Sequence, residues 1–577
     1  MVRQESRVLT AWLFTVLAVS GVWIGTSLLM AGVWAVVVAI AALAAAQSGV
    51  RFEAPAGPLE IKRKDIVAAV FASLPAFLYL AATWRQEFPY HGDQAHHNGY
   101  ALEASGFWWP WLWMVAVAAI AAVVRWASPR LAVIAVALLP VAGLITGGPY
   151  AFAGQYPGTL PFVAAPWLAL ADVHPLNVER TLNALAIPAW LLILRPLFLR
   201  RPATMGTAAT AALLFWQTDV VYYFTSGYIE AWAVVLVLTA LEHLILFDGE
   251  AVWRPLLLLG TAAMVKEHVV IALPVVALVY CPGRERMRHV VVALTALAPF
   301  ALFFCLRATF KSWSGVTPST SAWTAGHLAA YGHRVSLQFG AALPVVVVAV
   351  MALIVLARRR AFAAVLLVAA ADAVFFFTAP VQRPWTGYPR TNLVPLACAA
   401  LALGALVERL PRVWRALAVA AVVVCNLIPL VPAMRAAFGP DTARNFFEHG
   451  DAPMFFPIRQ ALARGEREGL IRAGDEVRLL NNGKRVFDLF YPGPIEDQYP
   501  DLARRYRLRV MSFRDDPARC GCTSPDAAQL AVFIAFSNLG AAMPQRAAIE
   551  EEAARCRAAM AATCKRVIAL DHAMIGR

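Results

Sequence analysis

Windows of about twenty apolar residues, almost free of charge, recur through roughly the first 430 positions, and each can cross a bilayer core as one helix. Helices of a water-soluble domain alternate apolar and polar faces at a 3.6-residue period, which these windows mostly lack. Composition agrees. The chain is 60% hydrophobic and 15% charged, against about 45–50% and about 25% for an ordinary soluble domain. The expected fold class is therefore an all-α polytopic membrane domain.

The formal net charge of +14 does not point to nucleic acid, because the basic residues lie in short loops between the spans. That placement orients a membrane protein, cytoplasmic loops carrying the excess of Lys and Arg. Residues 8–47 form about 40 nearly unbroken apolar residues, too long for the core of a signal peptide, and read as a two-span hairpin. Arg3 and Arg7 before it, and Arg51, Lys62, Arg63 and Lys64 after it, are assigned to the cytoplasm. Further spans are expected near 66–84, 108–126, 131–146, 182–199, 203–218, 228–247, 289–306, 339–357, 361–379, 391–407 and 414–432. Arg195, Arg200 and Arg201, then Arg358 to Arg360, then Arg409, Arg412 and Arg415 all fall on the inner side. Residues 1–65 form an N-terminal hairpin and loop, 66–432 the main membrane domain, and 433–577 an outer domain.

One segment conflicts with simple spanning. "PLLLLGTAAMVKEHVVIALPVVALVY" has the length of one span, yet Lys266, Glu267 and His268 sit at its centre. Intramembrane charges are costly and mark function. Basic residues flank both ends, Arg254 before and Arg284, Arg286 and Arg288 after. Two short helices meeting at Lys266, in a watery cavity open to the outer face, satisfy both facts.

In 433–577 the stretches "EVRLLN", "RVFDLFY", "YRLRVMSF", "LAVFIAF" and "KRVIALD" read as strands, with helical patterns at 455–465 and 544–562, so this part is expected to be α/β. Cys520, Cys522, Cys556 and Cys564 cluster there. Their paired spacing suggests two disulfides in an oxidising compartment, with a zinc site as the alternative.

The remaining polar groups of interest share the outer face. "EFPYHGDQAHHNGYALEASGFWWPWL" carries Asp93 with His91, His96 and His97; "YYFTSGYIEAW" carries Glu230; "PWTGYPRTN" lies between Arg383 and Arg390. A carboxylate among cations suits transfer from a lipid phosphate. Cations hold the phosphate and its leaving charge, and a carboxylate takes the proton of the attacking hydroxyl.

On these stretches the chain resembles the GT-C fold integral-membrane glycosyltransferases, such as lipid A aminoarabinose transferases and protein O-mannosyltransferases. "GDQAHHNGYALEASGFWWP" resembles the family's first acidic motif, with Gln94 in place of the second acid. "YPGTLPFVAAPWLALADVHPLNVERTLNAL" resembles its proline-rich outer loop, leading here to Arg180, and "YYFTSGYIEAW" its second acidic site. "GTAAMVKEHVVIALP" resembles the lysine-bearing short helix pair, and "GYPRTNLVPLACAAL" the late outer span end, with Tyr388 and Arg390. The likeness runs over residues 66–432.

The resemblance implies a bacterial inner-membrane enzyme using a polyprenyl-phosphate-linked sugar and a glycan, lipid or protein acceptor at the extracytoplasmic face. It implies Asp93 as base, Glu230 as a second catalytic acid, and Lys266, Arg390 and Arg383 as phosphate contacts. Glu267, His268, Arg180 and Tyr388 support them. No cofactor is required, although His91, His96, His97 and Asp93 offer donors that suit a divalent metal. Two other readings use the same residues: a lipid or glycan transporter with Lys266, Glu267 and Asp372 as a charge relay, and a glycan polymerase or ligase using lipid-diphosphate donors.

Overall fold

The computed structural model describes residues 61–84, 175–226, 230–248, 252–280, 335–336, 339–378, 392–438, 458–481, 500–512, 520–522, 528–535 and 546–573. The expected spans at 8–47, 108–126, 131–146 and 289–306 and the strand "RVFDLFY" lie outside them. So do Asp93, His91, His96, His97, Arg383, Tyr388 and Arg390. The described chain is mostly helical with little sheet. Among the described residues four helices are long and apolar enough to cross a membrane by length and composition: Arg63–Ala82, Asn177–Phe198, Glu230–Phe247 and Arg412–Pro432. The described residues group into two compact units, one of 61–77 and 178–429, the other of 78–84, 175–177 and 430–573.

The first unit holds all or most of α1 (Arg63–Thr83), α2 (Pro175–Ala184), α3 (Met205–Phe215), α4 (Thr218–Phe224), α5 (Glu230–Phe247), α6 (Trp253–Val265), α7 (Ala272–Val279), α8 (Leu343–Leu356), α9 (Arg360–Thr378), α10 (Leu393–Val407) and α11 (Arg412–Phe438), with the end of α1, the start of α2 and the end of α11 counted in the second unit. After α2 the chain continues through a short turn of helix and a π-helical turn at Trp190–Leu194. Hydroxyls inside these apolar helices bond to their own backbone. Thr239 Oγ1 donates to the Val235 carbonyl (2.7 Å), and Thr261 Oγ1 to that of Leu257 (2.9 Å). That local bond removes the cost of a polar group in an apolar helix.

Segments read from the sequence as inner loops meet one another. Asp65 accepts from the Ala203 amide (2.6 Å), and the Gly206 amide donates to Glu408 (2.5 Å), which also pairs with Arg415. α3 opens with a reciprocal cap, in which Thr204 accepts from the Thr207 amide while Thr207 returns the bond to the Thr204 amide. α3 and α10 cross at Gly206 and Gly404. A Cβ on Gly404 would lie 2.3 Å from Thr210 Oγ1 and 2.7 Å from the Gly206 carbonyl.

One expected span divides. A span was expected over 203–218 with "VVYYFTSGYIE" as the outer turn after it, but α3 ends at Phe215, Gln217 is extended, and Thr218–Phe224, including the "VVYYF" of that turn, forms α4. A long-range bond accounts for the bend. Gln217 Nε2 donates to Asn426 Oδ1 (2.6 Å), and Asn426 Nδ2 in turn donates to the Ala212 carbonyl (3.0 Å). Large apolar side chains stand exposed on the outward faces of α8 (Val347, Met351, Ile354), α11 (Trp414, Leu417, Ile428) and α1 (Val67, Val70, Leu74).

The second unit contains a parallel sheet in the order β2-β1-β3-β4, with β1 Glu476–Asn481, β2 Arg507–Ser512, β3 Ala528–Ala535 and β4 Arg566–Ala573. Val477 faces both Leu508 and Ala528, and Ala528 faces Arg566. Helices α12 (Ile458–Arg467), α13 (Pro500–Arg505) and α14 (Arg546–Thr563) accompany it. α12 ends on Gly469 at φ +71°, where the Leu470 amide reaches back to the Gly465 carbonyl (2.8 Å), a helix stop that favours glycine. The four cysteines form two disulfides, Cys520–Cys556 and Cys522–Cys564. Their sulfurs are therefore bonded to one another, and the zinc alternative does not apply to them.

Candidate active site

Glu230 opens α5, and Lys266 ends α6. The two helices are consecutive neighbours, which brings the first residue of one beside the last of the other. Lys266 leaves the helix in extended conformation (φ −139°, ψ 116°), followed by a 3-10 turn at Glu267–Ile271 and then α7. Pro274 supplies a local reason. It has no amide hydrogen for the carbonyl four residues back, and its ring crowds that carbonyl, which weakens regular helix over 270–274. The expected break at Lys266 is thus present.

Lys266 Nζ lies 3.2 Å from Glu230 Oε1 and 3.9 Å from Glu267 Oε1. Lys266 and Glu230 are buried, and Glu267 is partly open. Neither buried charge is sustainable alone in apolar surroundings, so each carries the other. Lys266 is thus shared between two carboxylates.

Two residues further on, His268 Nδ1 is hydrogen-bonded to Asp372 Oδ1 of α9 (2.7 Å), and both side chains are buried. Arg180, fully buried on α2, donates Nε to the Thr225 carbonyl (2.7 Å), and Asn183 donates to that of Ser226 (2.7 Å). Both bonds hold the end of α4, a few residues ahead of Glu230. The expected set is thus partly assembled: Glu230, Lys266 and Glu267 meet, His268 is bound to α9, and Arg180 braces the chain that leads into α5.

Several buried ionisable groups were not flagged. Glu179, next to Arg180 in sequence, and Asp219, in the first turn of α4, are both buried. Arg195, read as an inner-loop cation, is instead buried and paired with Glu242 of α5, its guanidinium 5.7 Å from the Trp190 ring. Glu242 and His243 interrupt an apolar run, and that interruption was the available signal. Among the described residues no group of three or more His, Cys, Asp and Glu is placed to hold a metal ion. No family model matches the chain, and no curated protein is significantly similar to it in sequence.

Proposed function

We propose that the chain is an integral-membrane glycosyltransferase, moving a sugar from a polyprenyl-phosphate donor to an acceptor hydroxyl at the extracytoplasmic face. The observation that supports this best is a buried carboxylate, Glu230, in contact with a lysine at a break in an apolar helix. The sequence resemblance to GT-C transferases supports it from a second direction. Exposed apolar faces on α1, α8 and α11 suit lipid around the first unit. Disulfides in the second unit suit an oxidising compartment.

In this reading the acceptor oxygen attacks the anomeric carbon as the bond to the phosphate oxygen breaks. The hydroxyl proton goes to a carboxylate, Glu230 or Asp93, and the polyprenyl phosphate leaves as an anion. A single displacement inverts the anomeric centre. Because Lys266 is shared by two carboxylates, most of the leaving charge falls to Arg383 and Arg390, whose forked donors match phosphate oxygens. Tyr388 stands between them in sequence.

Purified protein in detergent is expected to release polyprenyl phosphate from a monophosphate-linked sugar when an acceptor extract is added. Glu230→Gln is expected to slow this by about 100-fold or more, the scale of a lost acid–base group. Release from diphosphate carriers alone would instead identify a polymerase or ligase. A transporter reading draws on one further observation: the Arg195–Glu242 pair lies twelve residues along α5 from Glu230, about 18 Å at 1.5 Å per residue. Substrate flux in proteoliposomes without sugar release would favour that reading.

A further inference from the structure

Asp372 is the one acidic residue in α9, set among "AVLLVAAADAVFFF". Its Oδ1 is bonded to His268, while Oδ2 is buried and meets no hydrogen-bond donor among the described residues. An acid half satisfied in an apolar helix is a costly way to fasten two helices. Its bond goes to the 3-10 turn that begins directly after Lys266. A second tie from the same helix holds the far end of this segment, where Arg360 donates Nε and a terminal nitrogen to the Val279 carbonyl (3.0 and 2.7 Å) and covers the Tyr280 ring at 4.7 Å. α9 therefore grips the chain at 268 and again at 279, and Lys266 hangs from the gripped end.

We propose that Asp372 is a positioning residue: by binding His268 it holds the broken helix where the Lys266 ammonium meets Glu230. The packing of α6 on α5 brings the two residues near each other, and the turn after Lys266 is left to fix their final register. The Lys266 amide donates to the Ala262 carbonyl (2.8 Å) and its carbonyl accepts from the Val269 amide (3.2 Å), local bonds that would move with the turn. The role in turnover rests on the transferase reading, whereas the placement of Lys266 does not.

The test separates the two by reading Lys266 directly. Purified full-length protein in detergent is treated with an acetyl N-hydroxysuccinimide ester, and acylation of Lys266 is followed by mass spectrometry. Asp372→Ala is expected to speed acylation by about 10-fold, and to lower kcat by about 10-fold with KM changed less than about 2-fold, since small displacements of a reacting group cost rate more than affinity. Asp372→Asn keeps an oxygen for the ring N–H and should restore both. Where Asp372→Ala does not fold, the apolar pair H268F/D372L, which fills the space without the tether, should show the same two changes. Lys266 reactivity and kcat both unchanged in D372A or H268F/D372L would overturn the proposal, as would D372N behaving like D372A. If the wild type transfers no sugar, the transferase reading fails, and Lys266 acylation alone decides the positioning.

Discussion

Lys266 and Glu230 are charges that their surroundings admit only together. Removing one partner of a buried pair costs about 3–5 kcal/mol, because the other is left uncompensated, whereas replacing both by apolar or neutral groups is often close to neutral. K266M is therefore expected to lower the thermal midpoint in detergent markedly. E230Q/K266M should recover much of that loss while remaining inactive in transfer. A K266M midpoint equal to wild type would mean that water already serves the pair. Lys266 was conspicuous in the sequence as a charge inside an apolar run. Its partner was not, since Glu230 precedes it by 36 residues and the contact depends on how α5 and α6 pack. His268 and Asp372 are 104 residues apart, and nothing local in either stretch announces the bond. Arg180, read from the sequence as a supporting residue, donates to the Thr225 carbonyl, a partner 45 residues away that its own stretch does not announce.

Among the elements, α3 and α10 approach closely where Gly206 meets Gly404. Gly404→Val would drive a side chain into Thr210 and the Gly206 carbonyl. Overpacking of this kind costs about 1–3 kcal/mol, and a lower yield and thermal midpoint of the folded protein are the expected outcome. In the second unit, Arg505 grips Glu466 with two bonds (2.9 and 2.8 Å), joining α12 to α13. The hydrogen bond from Arg505 is the main cause holding the Glu466 carboxyl below its ordinary 4.5, with a smaller one from Tyr506. A depressed carboxylate contributes stability that is present above the unfolded value and lost as pH falls through the folded one. Hydrogen-exchange protection of 458–476 should accordingly weaken as pH drops below about 4.5, and E466Q should flatten that dependence. A wild-type profile already flat there would remove the Arg505 contact from the account. The strands were legible from alternation and β-branched content, and β1 to β4 fall on four of the five stretches so read. Their order was not legible, because β1 pairs with both β2 and β3 through contacts that no strand encodes alone.

At the scale of the whole molecule, the two disulfides bear on sidedness. They close segments of 36 and 42 residues, worth about 4 kcal/mol each by the chain-entropy argument. If the second unit is extracytoplasmic, a membrane-impermeant reductant followed by an impermeant maleimide should label the partly exposed Cys522 and Cys564 in intact spheroplasts. Cys398, Cys520 and Cys556, all fully buried, should stay unlabelled until denaturation. Labelling of Cys522 and Cys564 only after permeabilisation would place the second unit on the cytosolic side.

What the amino-acid order determined by itself was everything governed by near neighbours. Among the described residues, apolar windows form helices, four alternating stretches form strands, the paired cysteines are bridged, and charges inside an apolar run mark a break. Tertiary structure decided which distant groups meet: Glu230 with Lys266, His268 with Asp372, Gln217 with Asn426 across 209 residues, and Cys520 with Cys556 in place of Cys564. Period and hydropathy are summed over a few turns of chain, so they can be read along it. A hydrogen bond reaches only about 3 Å, and whether two residues come that close depends on every helix packed between them.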